Sequence, residues 1–311
     1  MLRNALLYLS SQPQVFNFVR HNRMAKGFAS RFVAGETLET ALDAVRQLNA
    51  RGISATLDLL GESVHNETEA RAGARAYMEM LDRIRQARLN ANVSVKLTAM
   101  GLDVSEDLCV ANMQDIIERA HEHESFVRLD MESSEYTQKT LDIFYDRLYP
   151  SFRPNVGIVL QSYLYRTSAD VEEANRNNAR VRLCKGAYKE PASVAYPDKK
   201  DVDDSYLRCM RSLLLNGHYP GIATHDESIV RETKRFAREN DIKPDQFEFQ
   251  MLYGVRRDLQ EKLVKEGYRM RVYVPFGTQW YPYLMRRLAE RPANVMFITG
   301  NIVKEKFGRR T

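Results

Sequence analysis

Eight short apolar runs alternate with longer amphipathic stretches along this chain, and this alternation restricts its fold more than any other feature. The runs recur about every 30 residues, as βα units require. An open doubly wound sheet usually carries a GxGxxG turn after its first strand, and that motif is absent. The pattern therefore predicts an α/β fold of the (βα)8 barrel type. The predicted strands are 54–60, 92–97, 126–131, 156–161, 179–184, 221–224, 246–250 and 270–274.

Between these runs, apolar residues recur at spacings of three and four, which is typical of helices that pack one face on a sheet. The segment 36–51 shows the same spacing ahead of the first strand. We therefore predict one domain, with residues 1–51 as a helical extension on a catalytic barrel formed by residues 52–311. The predicted barrel helices are 69–88, 106–121, 137–148, 166–178, 204–216, 228–240, 256–266 and 278–291.

Charge and cysteine content narrow the classes of function. The 46 Lys and Arg residues against 41 Asp and Glu give a net charge of +5, which favours anionic ligands or an anionic membrane surface. No basic block interleaved with aromatics occurs, so we expect no nucleic-acid partner. Three cysteines without CxxC spacing argue against a disulfide framework. We expect a cytoplasmic protein without a membrane span, for which peripheral association with the inner face of the cell membrane is open.

Polar residues stand at the predicted carboxyl end of almost every strand, where (βα)8 barrels place their chemistry. A single such residue is more often a solvated loop residue or a packing ion pair, but the repetition favours a site. The strand-end residues are Asp58, Glu62, Lys96, Asp130, Glu132, Gln161, Arg182, Lys185, Thr224, His225, Glu248, Gln250 and Tyr273.

The stretch after the eighth strand carries Tyr283, Arg286, Arg287 and Glu290 at positions i, i+3, i+4 and i+7. These residues share one face of a helix. Two adjacent guanidiniums repel each other unless they share an anion, and each guanidinium matches a carboxylate with two charge-assisted hydrogen bonds. The arrangement predicts a carboxylate site, with a solvated face of ion pairs as the alternative.

Lys96 lies within an apolar run, where burial of an unpaired ammonium is costly. It is either an anion clamp or, like Lys185, a candidate Schiff-base nucleophile of a lyase. Arg182, Lys185 and Gly186 together allow backbone amides to approach a phosphate. A non-catalytic module that binds an anion or a membrane is a third hypothesis, suggested by the net charge.

His121 and His123 stand at a predicted helix end, where an i,i+2 pair is more often solvated than metal-bound. No zinc-protease, P-loop, nucleophile-elbow or EF-hand motif occurs. We predict no metal site.

Seven segments, in order along the chain, resemble the proline dehydrogenase family, particularly its compact bacterial members. The similarity runs from Phe32 to Asn294. The segments are Val93-Ser94-Val95-Lys96-Leu97, Asp130-Met131-Glu132, Leu160-Gln161-Ser162-Tyr163, Arg182-Leu183-Cys184-Lys185-Gly186-Ala187-Tyr188, Ala223-Thr224-His225-Asp226, Phe247-Glu248-Phe249-Gln250 and Tyr283-Leu284-Met285-Arg286-Arg287-Leu288-Ala289-Glu290.

The resemblance implies a distorted (βα)8 barrel that binds FAD, oxidises L-proline to Δ1-pyrroline-5-carboxylate by hydride transfer to flavin N5, and is reoxidised by a membrane quinone. It implies catalytic roles for Asp130 and Arg182. The implied substrate-binding residues are Lys96, Tyr273, Tyr283, Arg286 and Arg287. The implied cofactor-binding residues are Met131, Gln161, Arg182, Lys185, Gly186, Ala187, Thr224, His225 and Glu290. Because Tyr283 leaves little room for a ring hydroxyl, we also expect a preference for proline over 4-hydroxyproline.

Overall fold

Eight parallel strands close into a barrel in which each strand pairs with the next and the last pairs with the first. The computed structural model describes residues 30–61 and 63–290, and for residues 286–290 it describes the backbone only. The predicted (βα)8 architecture is confirmed. The strands are β1 (Ser54–Leu59), β2 (Ala91–Val95), β3 (Val127–Leu129), β4 (Val156–Gln161), β5 (Arg180–Cys184), β6 (Gly221–Ala223), β7 (Glu248–Leu252) and β8 (Arg269–Phe276).

Side chains alternate along each strand between the two faces of the barrel wall. Apolar residues such as Leu57, Val93 and Val274 are fully buried in the main hydrophobic core. Many of the alternate residues are polar and bond to one another inside the barrel, as Thr56 Oγ1 does to Asn92 Oδ1 of the neighbouring strand at 2.5 Å. The barrel is therefore held by apolar packing outside its wall and by hydrogen bonds and ion pairs inside it.

Two glycines make room for large polar side chains inside the barrel. A Cβ on Gly157 would lie 2.7 Å from Nη1 of Arg128, and a Cβ on Gly221 would lie 2.4 Å from Nε2 of Gln250. Since atoms cannot approach so closely, a larger residue at either position would displace these side chains. These glycines are needed for space inside the barrel.

The helices follow the strands as predicted, with end points that differ by a few residues. N-cap side chains begin several of them, and Asn66 Oδ1, for example, accepts a hydrogen bond of 2.9 Å from the Glu69 amide. The described helices are Leu38–Asn49, Glu67–Gln86, Glu106–Glu122, Ser134–Asp142, Tyr149–Phe152, Thr167–Arg176, Lys199–Asn216, Glu227–Glu239, Arg257–Lys265 and Trp280–Glu290, with a 3-10 turn at Thr98–Met100.

The prediction of one regular α-helix over residues 137–148 is wrong. The helix begins at Ser134, ends its regular part at Asp142 and continues as a π-helical segment, Ile143–Leu148. The rings of Phe144 and Tyr149 pack with centroids 5.0 Å apart, beside Tyr145. The wider turn lets these neighbouring aromatic rings pack together, an arrangement that residue spacing alone did not predict.

Several predicted strand ends are also wrong. β2 ends at Val95 and β3 at Leu129, so Lys96 and Asp130 follow their strands directly instead of lying within them. β7 begins and ends two residues later than predicted. The polar residues thus stand at the rim, where backbone curvature allows their side chains to converge.

The segment 31–36 lies against the segment 275–280, which contains the last two residues of β8 and the turn after it. We call these two segments the clasp. The amide of Ala34 donates to the Pro275 carbonyl at 2.9 Å, and the amide of Gly277 donates to the Gly35 carbonyl at 3.0 Å. Trp280 Nε1 donates to Glu36 Oε1 at 3.1 Å. The clasp therefore joins the segment before the barrel to the segment that leads into the helix Trp280–Glu290.

The helix Leu38–Asn49 packs against β1 and β8 through Leu42, Val45 and Leu48. Residues 1–29 of the predicted extension lie outside the described residues, so the division at residue 51 stays a prediction. No helix in the described part of the chain combines the length and the apolar character needed to cross a membrane.

Candidate active site

Lys96 is buried at the carboxyl end of the barrel between two carboxylates. Its Nζ donates to both carboxylate oxygens of Asp58, each at 3.1 Å, and lies 4.0 Å from Oδ2 of Asp130. Two nearby negative charges stabilise the ammonium form. A Schiff-base nucleophile needs the neutral amine, so this geometry favours the anion-clamp hypothesis over the lyase hypothesis.

Asp130 is the centre of the cluster. Its Oδ1 accepts hydrogen bonds from Ser94 Oγ at 2.6 Å and from Arg182 Nη1 at 2.8 Å. Its Oδ2 accepts one from the phenol of Tyr273 at 2.8 Å. Residues from β2, β5 and β8 are therefore brought to one carboxylate, and Lys96, Asp130, Arg182 and Tyr273 lie together in the structure.

Burial changes the protonation of two groups in this cluster. It raises the pKa of Asp58, an effect that the Lys96 ammonium partly offsets and the Asp130 charge increases. Burial and the charges of Asp130 and Asp58 also raise the pKa of Tyr273 well above 10.0. Tyr273 therefore keeps its phenolic proton across the physiological range and remains a hydrogen-bond donor to Asp130.

Arg182 is held from two sides inside the barrel. Its Nε donates to Gln250 Oε1 at 2.6 Å while its Nη1 binds Asp130, and its guanidinium lies 5.3 Å from the centre of the Tyr273 ring. Gln250 Nε2 in turn donates to Glu248 Oε1 at 2.7 Å. A fixed cation of this kind needs no reorganisation when negative charge develops beside it.

Met131 and Gln161 lie next to each other beside this cluster. Gln161 Nε2 is 3.5 Å from the Met131 carbonyl oxygen, while Gln161 Oε1 is buried and has no hydrogen-bond partner within the described part of the chain. An unsatisfied buried acceptor is costly unless a ligand supplies a donor. This orphaned oxygen therefore indicates a binding surface at the end of β4.

The loop after β5 brings Lys185 close to the start of the helix after β6. Lys185 Nζ lies 3.2 Å from Oδ2 of Asp226 and also forms an ion pair with Asp203. Gly186 has a φ of +111°, and a Cβ there would lie 2.4 Å from the Tyr163 ring, so only glycine fits this position. Ala187 follows in the same loop, and its backbone remains half-buried.

Thr224 and His225 occupy the loop after β6, next to Asp226. Thr224 Oγ1 accepts from the Asp226 amide at 3.1 Å. His225 Nε2 accepts from the Leu252 amide at 2.9 Å, so Nδ1 carries the ring proton. The loops after β5 and β6 thus bring Lys185, Thr224 and His225 close together. Lys96 and Asp130 follow β2 and β3, in another part of the barrel rim.

Tyr283, Arg286, Arg287 and Glu290 all lie on the helix Trp280–Glu290. Tyr283 is buried. The side chains of Arg286, Arg287 and Glu290 lie outside the described residues, so their shared helix face and their contacts stay a prediction.

The predicted site residues do not include Asp58, Ser94 and Gln250, although each of these bonds directly to one of them. The sequence marks Asp58 and Gln250 only as polar residues at strand ends, and this position is the one feature that could have assigned them to the site. Ser94 gave no comparable signal, because a serine within a strand is uncharged and its burial needs no special explanation.

His121 and His123 both have hydrogen-bond partners. His121 bonds to Asn155 at 2.9 Å, and His123 bonds to Asp82 at 2.6 Å.

Three comparisons place the chain among known proteins. Proline dehydrogenase 2 of Bacillus subtilis (strain 168) is 45% identical over 289 residues, which cover 91% of this chain and 95% of the relative. Proline dehydrogenase of Deinococcus radiodurans is 42% identical over 307 residues, 98% of each chain. Among solved structures, the chain is similar to the crystal structure of proline utilization A (PutA) from Bdellovibrio bacteriovorus inactivated by N-propargylglycine. The TM-score is 0.81 and the sequence identity is 28%. The matched region covers 92% of this chain and 34% of that protein.

A closed (βα)8 barrel that collects paired acids and cations at the carboxyl ends of its strands defines a barrel enzyme. The family model described as proline dehydrogenase matches residues 41–300. The chain therefore belongs to the proline dehydrogenase family, oxidoreductases that act on a CH–NH bond in the first step of proline catabolism.

Proposed function

We propose that this chain oxidises L-proline to Δ1-pyrroline-5-carboxylate, with FAD as its cofactor and a membrane quinone as the electron acceptor. Family membership supports the substrate and the reaction. The observation that carries the proposal is the cluster in which Asp130 binds Arg182 and Tyr273 and lies within 4.0 Å of Lys96. It joins residues proposed for substrate binding to residues proposed for the redox step.

The residues at the ends of β4 and β5 fit a flavin. The orphaned Gln161 Oε1 is an acceptor suited to the N–H donor of an isoalloxazine ring. We assign Met131, Gln161 and Arg182 to that ring. FAD held by these residues would supply the redox chemistry, as acceptor of the hydride from proline and donor of electrons to the quinone.

We assign the remaining part of the cofactor to the loops after β5 and β6. A diphosphate needs cations and close backbone approach, which Lys185, Gly186 and Ala187 can supply. Thr224 and His225 would lie toward the nucleotide end, together with Glu290 from the helix Trp280–Glu290. Lys185 is paired with Asp203 and Asp226, so binding a phosphate there requires part of that pairing to be exchanged.

We assign the carboxylate of proline to Arg286 and Arg287, with the Lys96 ammonium as a third cation. Arg286 and Arg287 can each offer a two-donor fork to a carboxylate. Asp58 holds Lys96 through two bonds of 3.1 Å, so the position of the ammonium is fixed before substrate arrives. Fixing the acid group orients the ring, and such positioning can lower the reaction barrier by about 7–11 kcal/mol at the most favourable geometry.

Asp130 and Arg182 have the catalytic roles in this proposal. Arg182 places a permanent positive charge at the site, and its bonds to Asp130 and Gln250 prevent it from turning away. Asp130 compensates that charge and binds the Tyr273 phenol, whose raised pKa keeps the proton on its Oη. Tyr283 and Tyr273 would limit the space around the ring, which supports a preference for proline over 4-hydroxyproline.

The visible spectrum of the purified full chain tests this function. We expect a yellow protein whose flavin absorbance bleaches on anaerobic addition of L-proline and returns on addition of a soluble quinone. Arg182→Met should retain FAD but bleach much more slowly, while Arg88→Gln, at an exposed position, should behave like the parent. A protein that takes up no FAD, or holds FAD that proline does not reduce, would exclude the proposal.

The preference for proline over 4-hydroxyproline and the use of a membrane quinone are tested separately. A kcat/KM for 4-hydroxyproline comparable to that for proline would contradict the proposed role of Tyr283. For the quinone, we expect turnover to rise when anionic vesicles carrying the quinone replace the same quinone in detergent. Equal rates in both would remove peripheral membrane association from the proposal.

A further inference from the structure

A second polar cavity lies at the opposite end of the barrel from the candidate active site. It has a volume of about 630 Å³ and is lined by residues from the starts of the strands and the loops before them. Its polar lining includes Arg180, His218, Tyr219, Arg269 and Arg271. Arg180 and Arg182 both belong to β5, but Arg182 bonds to Asp130 and Gln250 whereas Arg180 lines this cavity.

The positive charges around this cavity are only partly compensated. Arg271 Nε binds Glu248 at 2.7 Å. Among the residues that the structure describes, no carboxylate lies within the 4.0 Å ion-pairing distance of Arg180 or Arg269. Glu248 is occupied by Arg271, Gln250 and the phenol of Tyr219. Two guanidiniums therefore remain at the cavity without a paired acid.

Aromatic rings hold these two guanidiniums in place. The Arg180 guanidinium lies 4.4 Å from the centre of the Phe126 ring and 4.8 Å from that of Tyr219. The Arg269 guanidinium lies 5.3 Å from the Tyr219 ring. Cation–π contacts orient a guanidinium while leaving its in-plane N–H groups for another ligand. Arg180 Nε is buried and has no hydrogen-bond partner among the residues that the structure describes.

The groups around Arg180 make its positive charge energetically costly, and a bound anion would lower that cost. Burial lowers the pKa of Arg180, and the Arg271 charge contributes to this although Glu248 opposes it. Burial and the Arg180 charge lower the pKa of His218, so its ring is neutral at pH 7 and can donate an N–H without adding charge. Arg269 is exposed, and its hydrogen bond with the Tyr219 phenol and the charges of Tyr219, Asp245 and Glu248 raise its pKa. The cost therefore falls on Arg180, a half-buried cation without a paired acid, and a bound anion would relieve it.

We propose that this cavity binds a phosphate group, either on a small soluble phosphate ester or on a phosphomonoester lipid headgroup. Arg180 and Arg269 have no ion-paired carboxylate among the described residues; their two positive charges match those of a phosphomonoester, and their planar forks match its oxygens. The volume lies within the range of small-ligand sites, roughly 300–1,000 Å³, and exceeds the needs of inorganic phosphate alone. The site is separate from the carboxylate site assigned to proline.

Calorimetric titration of the full chain with inorganic phosphate tests the proposal, using protein saturated with FAD and freed of unbound FAD. Saturation with FAD keeps the probe out of the proposed diphosphate site. We expect one phosphate to bind per chain. Arg269→Gln and Arg180→Gln should each weaken the binding at least about tenfold, which corresponds to one lost charge-assisted hydrogen bond. Arg88→Gln removes the same charge from an exposed position outside the cavity lining and should change the affinity less than about twofold.

Vesicle sedimentation distinguishes the two sources of the phosphate group. Sedimentation with phosphatidic acid vesicles but not phosphatidylcholine vesicles, lost in Arg269→Gln, would assign a lipid headgroup. Binding of soluble phosphate without sedimentation would assign a soluble ester. Absence of both, or binding that Arg269→Gln and Arg180→Gln leave unchanged, would overturn the proposal. The unfolding midpoint and proline turnover of each variant show whether its fold is intact.

Discussion

Two buried charges in this barrel, those of Lys96 and Asp58, compensate each other. Lys96 is 8% exposed and Asp58 is 1% exposed, and each would be costly to bury alone. Their bonds of 3.1 Å join β1 to the end of β2, and Asp130 extends the network to Arg182. Stability and the arrangement of the candidate site therefore depend on the same side chains.

Asp58→Asn should destabilise the protein and also weaken proline binding. It removes the charge that Lys96 faces at 3.1 Å, and breaking a buried pair in this way costs about 3–5 kcal/mol. We expect a lower midpoint of denaturant unfolding and a raised KM. Tyr77→Phe is the matched control, because it removes the 3.3 Å hydrogen bonds that the Tyr77 phenol donates to Asp58 and accepts from the Leu59 amide, and leaves the ion pair intact. Equal effects of the two variants would contradict the argument.

Arg287→Met should weaken proline binding by about 2–5 kcal/mol, the usual cost of removing one partner of a buried charge pair. The reason is the predicted fork between Arg287 and the substrate carboxylate. Steady-state kinetics should show a KM raised at least about thirtyfold, with the flavin spectrum unchanged. An unaltered KM would mean that this guanidinium faces solvent.

At the scale of secondary-structure elements, ion pairs also join neighbouring helices on the outside of the barrel. Glu232, on the helix Glu227–Glu239, binds Arg235 at 2.6 Å on its own helix and Arg211 at 2.7 Å on the helix Lys199–Asn216. Hydrogen bonds from Arg235 and Arg211 lower the pKa of Glu232 to about 2 from its usual 4.5. The two helices are thus coupled through one carboxylate.

This coupling predicts a pH-dependent stability. A lowered pKa means that the ionised form is favoured by folding, so Glu232 contributes its full stabilisation above pH 4.5 and loses it as pH falls toward about 2. Glu232→Gln should therefore unfold at lower urea than the parent at pH 6, with a difference that shrinks below pH 4.5. Glu172→Gln, an exposed glutamate on another helix, should show no such trend. A difference independent of pH would contradict the assignment.

At the scale of the whole molecule, the clasp connects segments about 240 residues apart in sequence, as the bond from Trp280 to Glu36 illustrates. A Cβ on Gly254, whose φ is +74°, would lie 1.6 Å from the Arg31 carbonyl oxygen. The segment before the barrel is therefore pressed against the loop after β7 as well as against β8. The clasp lies directly before the helix that carries Tyr283, Arg286 and Arg287.

Trp280→Phe should loosen that helix while leaving the barrel folded. It removes the 3.1 Å bond to Glu36 and keeps most of the apolar packing, at a cost of about 1 kcal/mol in unfolding free energy. We expect KM for proline to rise several-fold with kcat nearly unchanged. Glu36→Gln keeps an oxygen acceptor for the indole and should stay close to the parent. A loss confined to kcat would argue against a positioning role for the clasp.

The sequence by itself determined the eight βα units, because period-two and period-3.6 patterns are local consequences of which residue faces apolar surroundings. It also placed Lys96, Asp130, Arg182 and Tyr273 at strand ends. It did not reveal that Asp58 is the partner of Lys96, which is 38 positions away along the chain. It also missed that Gly221 makes room for Gln250, or that Arg180 and Arg269 meet across one cavity. These contacts were decided by closure of the barrel, since hydrogen bonds, charge compensation and close packing depend on distances in space that residue spacing does not specify.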